Sequence, residues 1–223
     1  VPGNVSTQTI PLKFERGYIQ SWNLMLQKRL RWGFVGEAGY VATRQTRQLG
    51  YKQLNWAPIG GGTRGQQLFS RFGRTANTRE ASPVGGSHYD SLQATLQRRF
   101  AHGYSFYAGY TWGKSITNSG ADSSDASIPI NIPAYYGLNR AVSGFDRTHN
   151  LQLTNILELP FGPGRQWLSS PGTLSKVVVG WQANSLISLM GGRPFSVSAS
   201  GTSLNAPFSS QRAREMPSGE WGR

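Results

Sequence analysis

The sequence has no cysteine, few acidic residues and no long hydrophobic run, and each shortage removes a class of protein. Without cysteine there are no disulfides, no thiolate zinc sites and no thiol nucleophile among the 223 residues. Hydrophobic residues make up 37% of the chain, and no apolar stretch approaches the roughly 18–20 residues that a membrane-spanning helix needs. Only 10 Asp and Glu stand against 23 Lys and Arg, a formal net charge of +13. Such an excess would suit nucleic acid if it were clustered, because phosphate binding needs cations side by side. Here the cations are scattered singly, with no basic run and no recognition helix, so no nucleic-acid partner is expected. Spread this way, they read as solvated or headgroup-facing charges.

Reaction chemistry is equally sparse. His88, His102 and His149 stand far apart, and none belongs to a metal-ligand spacing such as HExxH. There is no GxSxG elbow. The glycine-rich stretch at 60–65 lacks the GK[ST] ending that sets a lysine on phosphate, and reads as a flexible loop. Asp122 and Asp125 offer two carboxylates to calcium without the other ligands such a site needs, so a solvated acidic loop is the simpler expectation. No catalytic residue, no metal site and no cofactor is expected, and the chain is not expected to be an enzyme.

What the chain does have is a hairpin written twice. Leu26-Gln27-Lys28-Arg29-Leu30, then Trp32-Gly33-Phe34 and Ala38-Gly39-Tyr40, return as Leu96-Gln97-Arg98-Arg99-Phe100, His102-Gly103-Tyr104 and Ala108-Gly109-Tyr110. Leu, Gln, Arg and Gly, then Ala, Gly and Tyr, are identical at matching places. Each copy reads as strand, tight turn with a glycine that accepts positive φ, strand. Around the turns the chain alternates with period two. Leu92, Ala94, Leu96 and Phe100 oppose Ser91, Gln93, Thr95, Gln97 and Arg99; Tyr104, Phe106, Ala108, Tyr110 and Trp112 oppose Ser105, Thr111 and Ser115. Trp22, Leu24 and Leu26 oppose Asn23 and Gln27, and Ala38, Tyr40 and Ala42 oppose Glu37 and Thr43.

A soluble sandwich or lipocalin-like barrel alternates too, with its apolar face inward. Three features favour a membrane wall instead. The strands are long, as tilted membrane strands must be. Very short turns alternate with long loops at 46–87 and 117–147, the asymmetry of periplasmic turns and extracellular loops. Aromatics close both ends of the apolar stripe (Phe34, Phe100 and Tyr104; Tyr40, Tyr110 and Trp112), with Lys28, Arg98, Arg44 and Lys114 beyond them. Leu151, Leu153, Leu157 and Leu159 continue the pattern, Val177 to Met190 reads as a sixth strand, and Phe195, Val197 and Ala199 begin a seventh. The expected fold is all-β: about seven strands of an antiparallel up-and-down transmembrane barrel with long extracellular loops, a single partial barrel domain over 1–223. The chain opens Val1-Pro2-Gly3, without initiator Met or leader, so an exported protein of this kind is expected to carry further residues.

Several stretches, in order along the chain, carry a resemblance. GYIQSWNL at 17–24, YDSLQ at 89–93, YTWGKSI at 110–116, FDRTHN at 145–150, ELPFGPG at 158–164, and GWQ at 180–182 with GRPF at 192–195 resemble the barrel strands of Oar-like TonB-dependent transporters. The resemblance implies an outer-membrane barrel of about 22 strands around a plug domain. It also implies import of a ligand with energy relayed by TonB to an N-terminal box, and neither plug nor box is identifiable here. The partners it implies are outer-membrane lipid and lipopolysaccharide, the rest of the same barrel with its plug, and TonB through that N-terminal part. The inward polar set is expected to face the lumen or the plug: Asn23, Gln27, Glu37, Gln93, Gln97, Arg99, Gln152 and Glu158. Ligand contacts are expected in the loops, from Trp56, Phe69, Phe72, Tyr135 and Tyr136, because loops on a rigid scaffold commonly carry binding.

Overall fold

The computed structural model describes residues 2–119, 127–162, 165–167, 169–170, 172–199 and 201–212. The alternating segments form strands β2 (Tyr18–Arg29), β3 (Phe34–Gln53), β4 (Thr78–Ala101), β5 (Tyr104–Thr117), β7 (His149–Glu158) and β8 (Gln182–Met190). They pair antiparallel in the order β2-β3-β4-β5-β7-β8. Two short strands complete an eight-stranded sheet: β1 (Thr7–Thr9) lies parallel to β4, and β6 (Ala141–Val142) lies antiparallel to β5. Among the described residues the sheet does not close, so β2 and β8 each keep one unpaired edge. No described helix is long and apolar enough to cross a membrane.

The turns explain the repeat. Trp32 and Gly33 have φ of 58° and 77°, and His102 and Gly103 have 55° and 78°. Both central residues of each turn are therefore left-handed, the primed geometry whose twist matches the strands it joins. Glycine accepts this freely, while Trp32 and His102 each carry a local strain of about 1–2 kcal/mol.

Register converts alternation into two faces. One row runs Leu26–Ala38–Ala94–Tyr110–Leu151–Leu189 across six strands, flanked by Leu24–Tyr40–Leu92–Trp112 and by Leu96–Ala108–Leu153–Ile187. No other layer of the described chain covers this face: Leu24 is 66% exposed, Leu26 72% and Leu189 58%. From Tyr104 to Lys114 the strand rises about 34 Å, or roughly 25 Å at the usual tilt, which is the height of a hydrocarbon band. At the short-turn end Phe34 and Phe106 meet edge to face at 6.1 Å, and the Arg98 guanidinium lies over the rings of Phe34 and Tyr104 at 5.8 and 5.3 Å. At the other end Tyr110 stacks on His149 and hydrogen-bonds its Nδ1 at 2.8 Å. The Tyr40 hydroxyl donates to Asp90. Polar tips thus sit at both margins of the stripe, as two interfacial girdles require.

Four expectations need correction. The stretch from 177 is not all strand: α1 (Thr173–Val178) occupies its start and β8 begins only at Gln182, since three valines before Gly180 carry no alternation. The seventh strand does not extend the wall. Only Ser198–Ala199 (β9) is extended there, paired with Gln211–Arg212 (β10) in a separate two-stranded sheet. The loop at 46–87 is shorter than expected, because β3 runs on to Gln53 and β4 starts at Thr78, with register shifts around Gln48 absorbing Arg47 at φ 56°. The connection between β7 and β8, at the short-turn end, is long and contains α1. Asp122 and Asp125 lie outside the described residues.

Candidate functional site

All eight residues of the inward polar set share the face opposite the apolar rows. Gln27 lies opposite Glu37, and its Nε2 donates to Glu37 Oε2 at 3.4 Å; the same row continues through Thr95, Gly109, Gln152 and Ser188. Asn23 pairs with Val41, whose other partner is Ser91; Gln93 Nε2 donates to Ser91 Oγ at 3.3 Å. Gln97 stands between Val35 and Tyr107, and Arg99 is next along the same phase. Glu158 pairs with Gln182 and receives Arg165 Nη2 at 3.0 Å. A cavity of about 440 Å³ opens at the short-turn end between Gln27, Arg29, Gln97 and Arg99, and a smaller one lies over Gln93, Thr95 and Gln152.

The second part of the site is a cap built by the loops at the opposite end. A loop backbone has no ladder to occupy its donors and acceptors, so buried loop groups need side-chain partners. Here amides supply them. Asn55 is fully buried; its Nδ2 donates to the carbonyls of Arg74 and Ala76 at 3.1 and 3.2 Å, and its Oδ1 accepts from Leu68 N at 2.9 Å. Gln53 Oε1 accepts from the backbone amides of Asn55 and Thr78 at 3.1 and 2.9 Å. Asn131 Oδ1 accepts from Gln53 N at 2.9 Å, and its Nδ2 donates to Phe208 O at the same distance. Asn139 exchanges bonds with both backbone groups of Ile130, and Asp146 Oδ1 holds Ser115 N at 2.7 Å. Ile128, Ile130, Ile132, Ala57 and Ala206 fill the small core these bonds enclose. Residues from three loops and the N-terminal segment therefore meet in one folded unit, and Asn205 Nδ2 bridges back to Gly60 O at 3.1 Å.

The five loop aromatics sit on this cap without gathering. Trp56 and Phe69 are half-buried in the 54–77 loop, and Phe72 is 60% exposed beneath Arg71, whose guanidinium lies 5.3 Å from its ring. Tyr135 and Tyr136 belong to the turn Pro133–Asn139 of the next loop, and no described ring contact links the two groups. Partial burial raises the Tyr136 hydroxyl above its ordinary value; Lys52 nearby lowers it and Glu80 raises it. The amide hub of Gln53, Asn55, Asn131 and Asn139 was not singled out by sequence reasoning. An Asn or Gln in a loop reads as solvated, and only the density of amides flanking Ile128, Ile130 and Ile132 hints otherwise. Among the described residues no group of three or more His, Cys, Asp or Glu could hold a metal ion.

The family model described as Outer membrane beta barrel domain matches residues 1–220. The chain belongs to that family. No curated protein and no solved structure matches it. Membership places this barrel segment in the bacterial outer membrane. It also favours the membrane reading of the alternation, in which the apolar rows of a barrel wall meet lipid. A soluble β-barrel module is thereby set aside.

Proposed function

We propose that this segment is part of the wall of a TonB-dependent outer-membrane transporter, importing a ligand through a barrel whose remaining strands and plug it does not itself supply. The observation that carries the reading is the open sheet. Two strand edges left unpaired in lipid would expose backbone groups at several kcal/mol each, so β2 and β8 must pair with further strands of a larger barrel. Of the stretches that resemble Oar-like transporters, YIQSWNL, YDSLQ and YTWGKSI fall on β2, β4 and β5. Asn23, Gln27, Glu37, Gln93, Gln97, Arg99, Gln152 and Glu158 then present hydrogen-bonding groups to a plug or to the ligand path. The cap carries ligand capture through Trp56, Phe69, Phe72, Tyr135 and Tyr136. No catalytic role belongs to this proposal.

A folded cap also favours a second reading, a surface adhesin or passive porin, because a rigid surface can serve adhesion without transport. The full-length protein separates them. A transporter binds the periplasmic domain of TonB and loses uptake when the proton gradient is collapsed. A porin conducts small solutes in liposomes without either, and an adhesin does neither. Full-length protein that binds no TonB would sink the first reading.

A further inference from the structure

At the long-loop margin of the lipid-facing side, the register brings cations together that stand far apart in sequence. Arg44 lies directly opposite His88, His88 opposite Ile116, and Ile116 opposite Val142, two outward-facing rows beyond Leu24–Tyr40–Leu92–Trp112. Arg140, just before β6, turns its Nη2 to within 3.5 Å of His88 Nε2. Lys114 is exposed one row nearer the stripe, opposite Asp90, which already accepts the Tyr40 hydroxyl. Among the described residues neither Arg44 nor Arg140 forms an ion pair with a carboxylate. A cavity of about 380 Å³ opens between them, walled also by Ile116 and Tyr136.

This combination has one fitting occupant. Cations held above a girdle of Tyr40, Tyr110 and Trp112 stand at headgroup level, where an anion meets them side-on from the bilayer rather than from the lumen. Two guanidiniums present forked donors that match phosphate oxygens. Ile116 and Tyr136 add the apolar and hydroxyl surface that a sugar ring contacts. We infer that Arg44, Arg140 and Lys114, with His88 between the arginines, form a binding site for the phosphorylated sugar headgroup of an outer-leaflet glycolipid. The site ties loop 118–148 to the lipid and so anchors the cap at the membrane surface.

The inference rests on the long-loop end facing outward, which is tested apart from the site. The segment has no cysteine, so Arg64→Cys on the exposed loop, in the full-length protein, should label with impermeant maleimide on intact cells. For the site itself, purified full-length protein in detergent is titrated with lipid A and with phosphatase-treated lipid A, and bound lipid is counted by native mass spectrometry. Arg44→Gln/Arg140→Gln should weaken lipid A binding roughly thirtyfold, at about fivefold per cation near an anionic surface. Removing the phosphates should do the same to wild type. Arg44→Lys/Arg140→Lys, which keeps both charges, should stay within about fivefold of wild type. Variants are compared only when they keep the heat-dependent gel shift of a folded barrel. Wild-type affinity in the Gln pair, or an equal loss in a distant Lys13→Gln/Arg64→Gln pair, would overturn the site. Displacement of lipid A by millimolar inorganic phosphate would also overturn it, since a free anion would then be the occupant.

Discussion

Replacing Asn55 by Ala should open the cap while leaving the wall intact. Asn55 is fully buried, and its side chain makes three hydrogen bonds, to Leu68 N, Arg74 O and Ala76 O. Each is worth about 1 kcal/mol net, and the backbone groups stranded in the cap's interior add roughly 1–2 kcal/mol more, so the loop loses about 4–5 kcal/mol. Native loops open locally with free energies at or below that size, so the 54–77 loop should lose its closed state rather than merely loosen. Hydrogen exchange on the full-length protein reads this directly. Amides in a peptide covering 67–78, including Leu68 and Thr78, should exchange at least about 100-fold faster, while a β4 peptide covering 89–98 keeps its protection. Asn55→Asp should be no better, because its second oxygen would face the Arg74 and Ala76 carbonyls that the amide now satisfies. Unchanged exchange in Asn55→Ala would refute the hub. Loss of protection in the β4 peptide as well would refute the independence of cap and wall.

The two faces of β7 give a paired test: Leu151→Arg, in the middle lipid row, should cost about 2–4 kcal/mol in urea unfolding from liposomes, and Gln152→Arg, on the interior face, much less. Equal losses would mean the faces are wrongly assigned. His102 sits at φ 55° in a turn, so His102→Gly should raise stability, by up to about 1 kcal/mol after glycine's greater unfolded-state freedom is subtracted. A loss in the same urea titration would show that the imidazole does more than fill the turn. Tyr136 should ionise above the ordinary 10.0 of a tyrosine, since burial disfavours the phenolate. A raised value means the contribution is complete below pH 10.0 and fades as pH climbs through the folded value. The phenolate absorbance of wild type minus Tyr136→Phe measures it, and a midpoint at or below the ordinary value would contradict the burial.

The wall was legible because period two needs only two residues to register. Leu92-Gln93-Ala94-Thr95-Leu96 declares its faces without knowledge of its neighbours, and the repeat of Gly33 and Gly103 fixes where the chain turns. Legibility ended where local pattern stopped. Val177-Val178-Val179 reads as strand by composition, yet the neighbouring wall strand begins only after Gly180 turns at φ 77°. Phe195 and Val197 alternate, yet among the described residues the outer edge of β8 stays unpaired, and only Ser198–Ala199 is strand there, paired with Gln211–Arg212. Arg140 and His88 are 52 positions apart and meet only because β6 docks on β5. Nothing near either residue announces the other.

The cap and the wall invert each other's chemistry, and one rule explains both. In the wall the paired backbone groups are spent on the ladder, so side chains are free to answer their solvent, and Leu and Tyr turn outward to lipid. In the cap the backbone between Leu54 and Asn77 lacks a ladder, so polar side chains must go inward to complete it. Asn55, Gln53, Gln66, Asn131 and Asn139 are accordingly among the most buried residues described, while Leu24 and Leu26 are among the most exposed. Hydropathy alone would rank them the other way round. For function the inversion matters because amide hubs of this kind fix a loop in one conformation. Trp56, Phe69, Tyr135 and Tyr136 would then be presented from a prearranged surface, and on the proposed reading a ligand captured there would meet rings whose ordering entropy was spent when the cap folded.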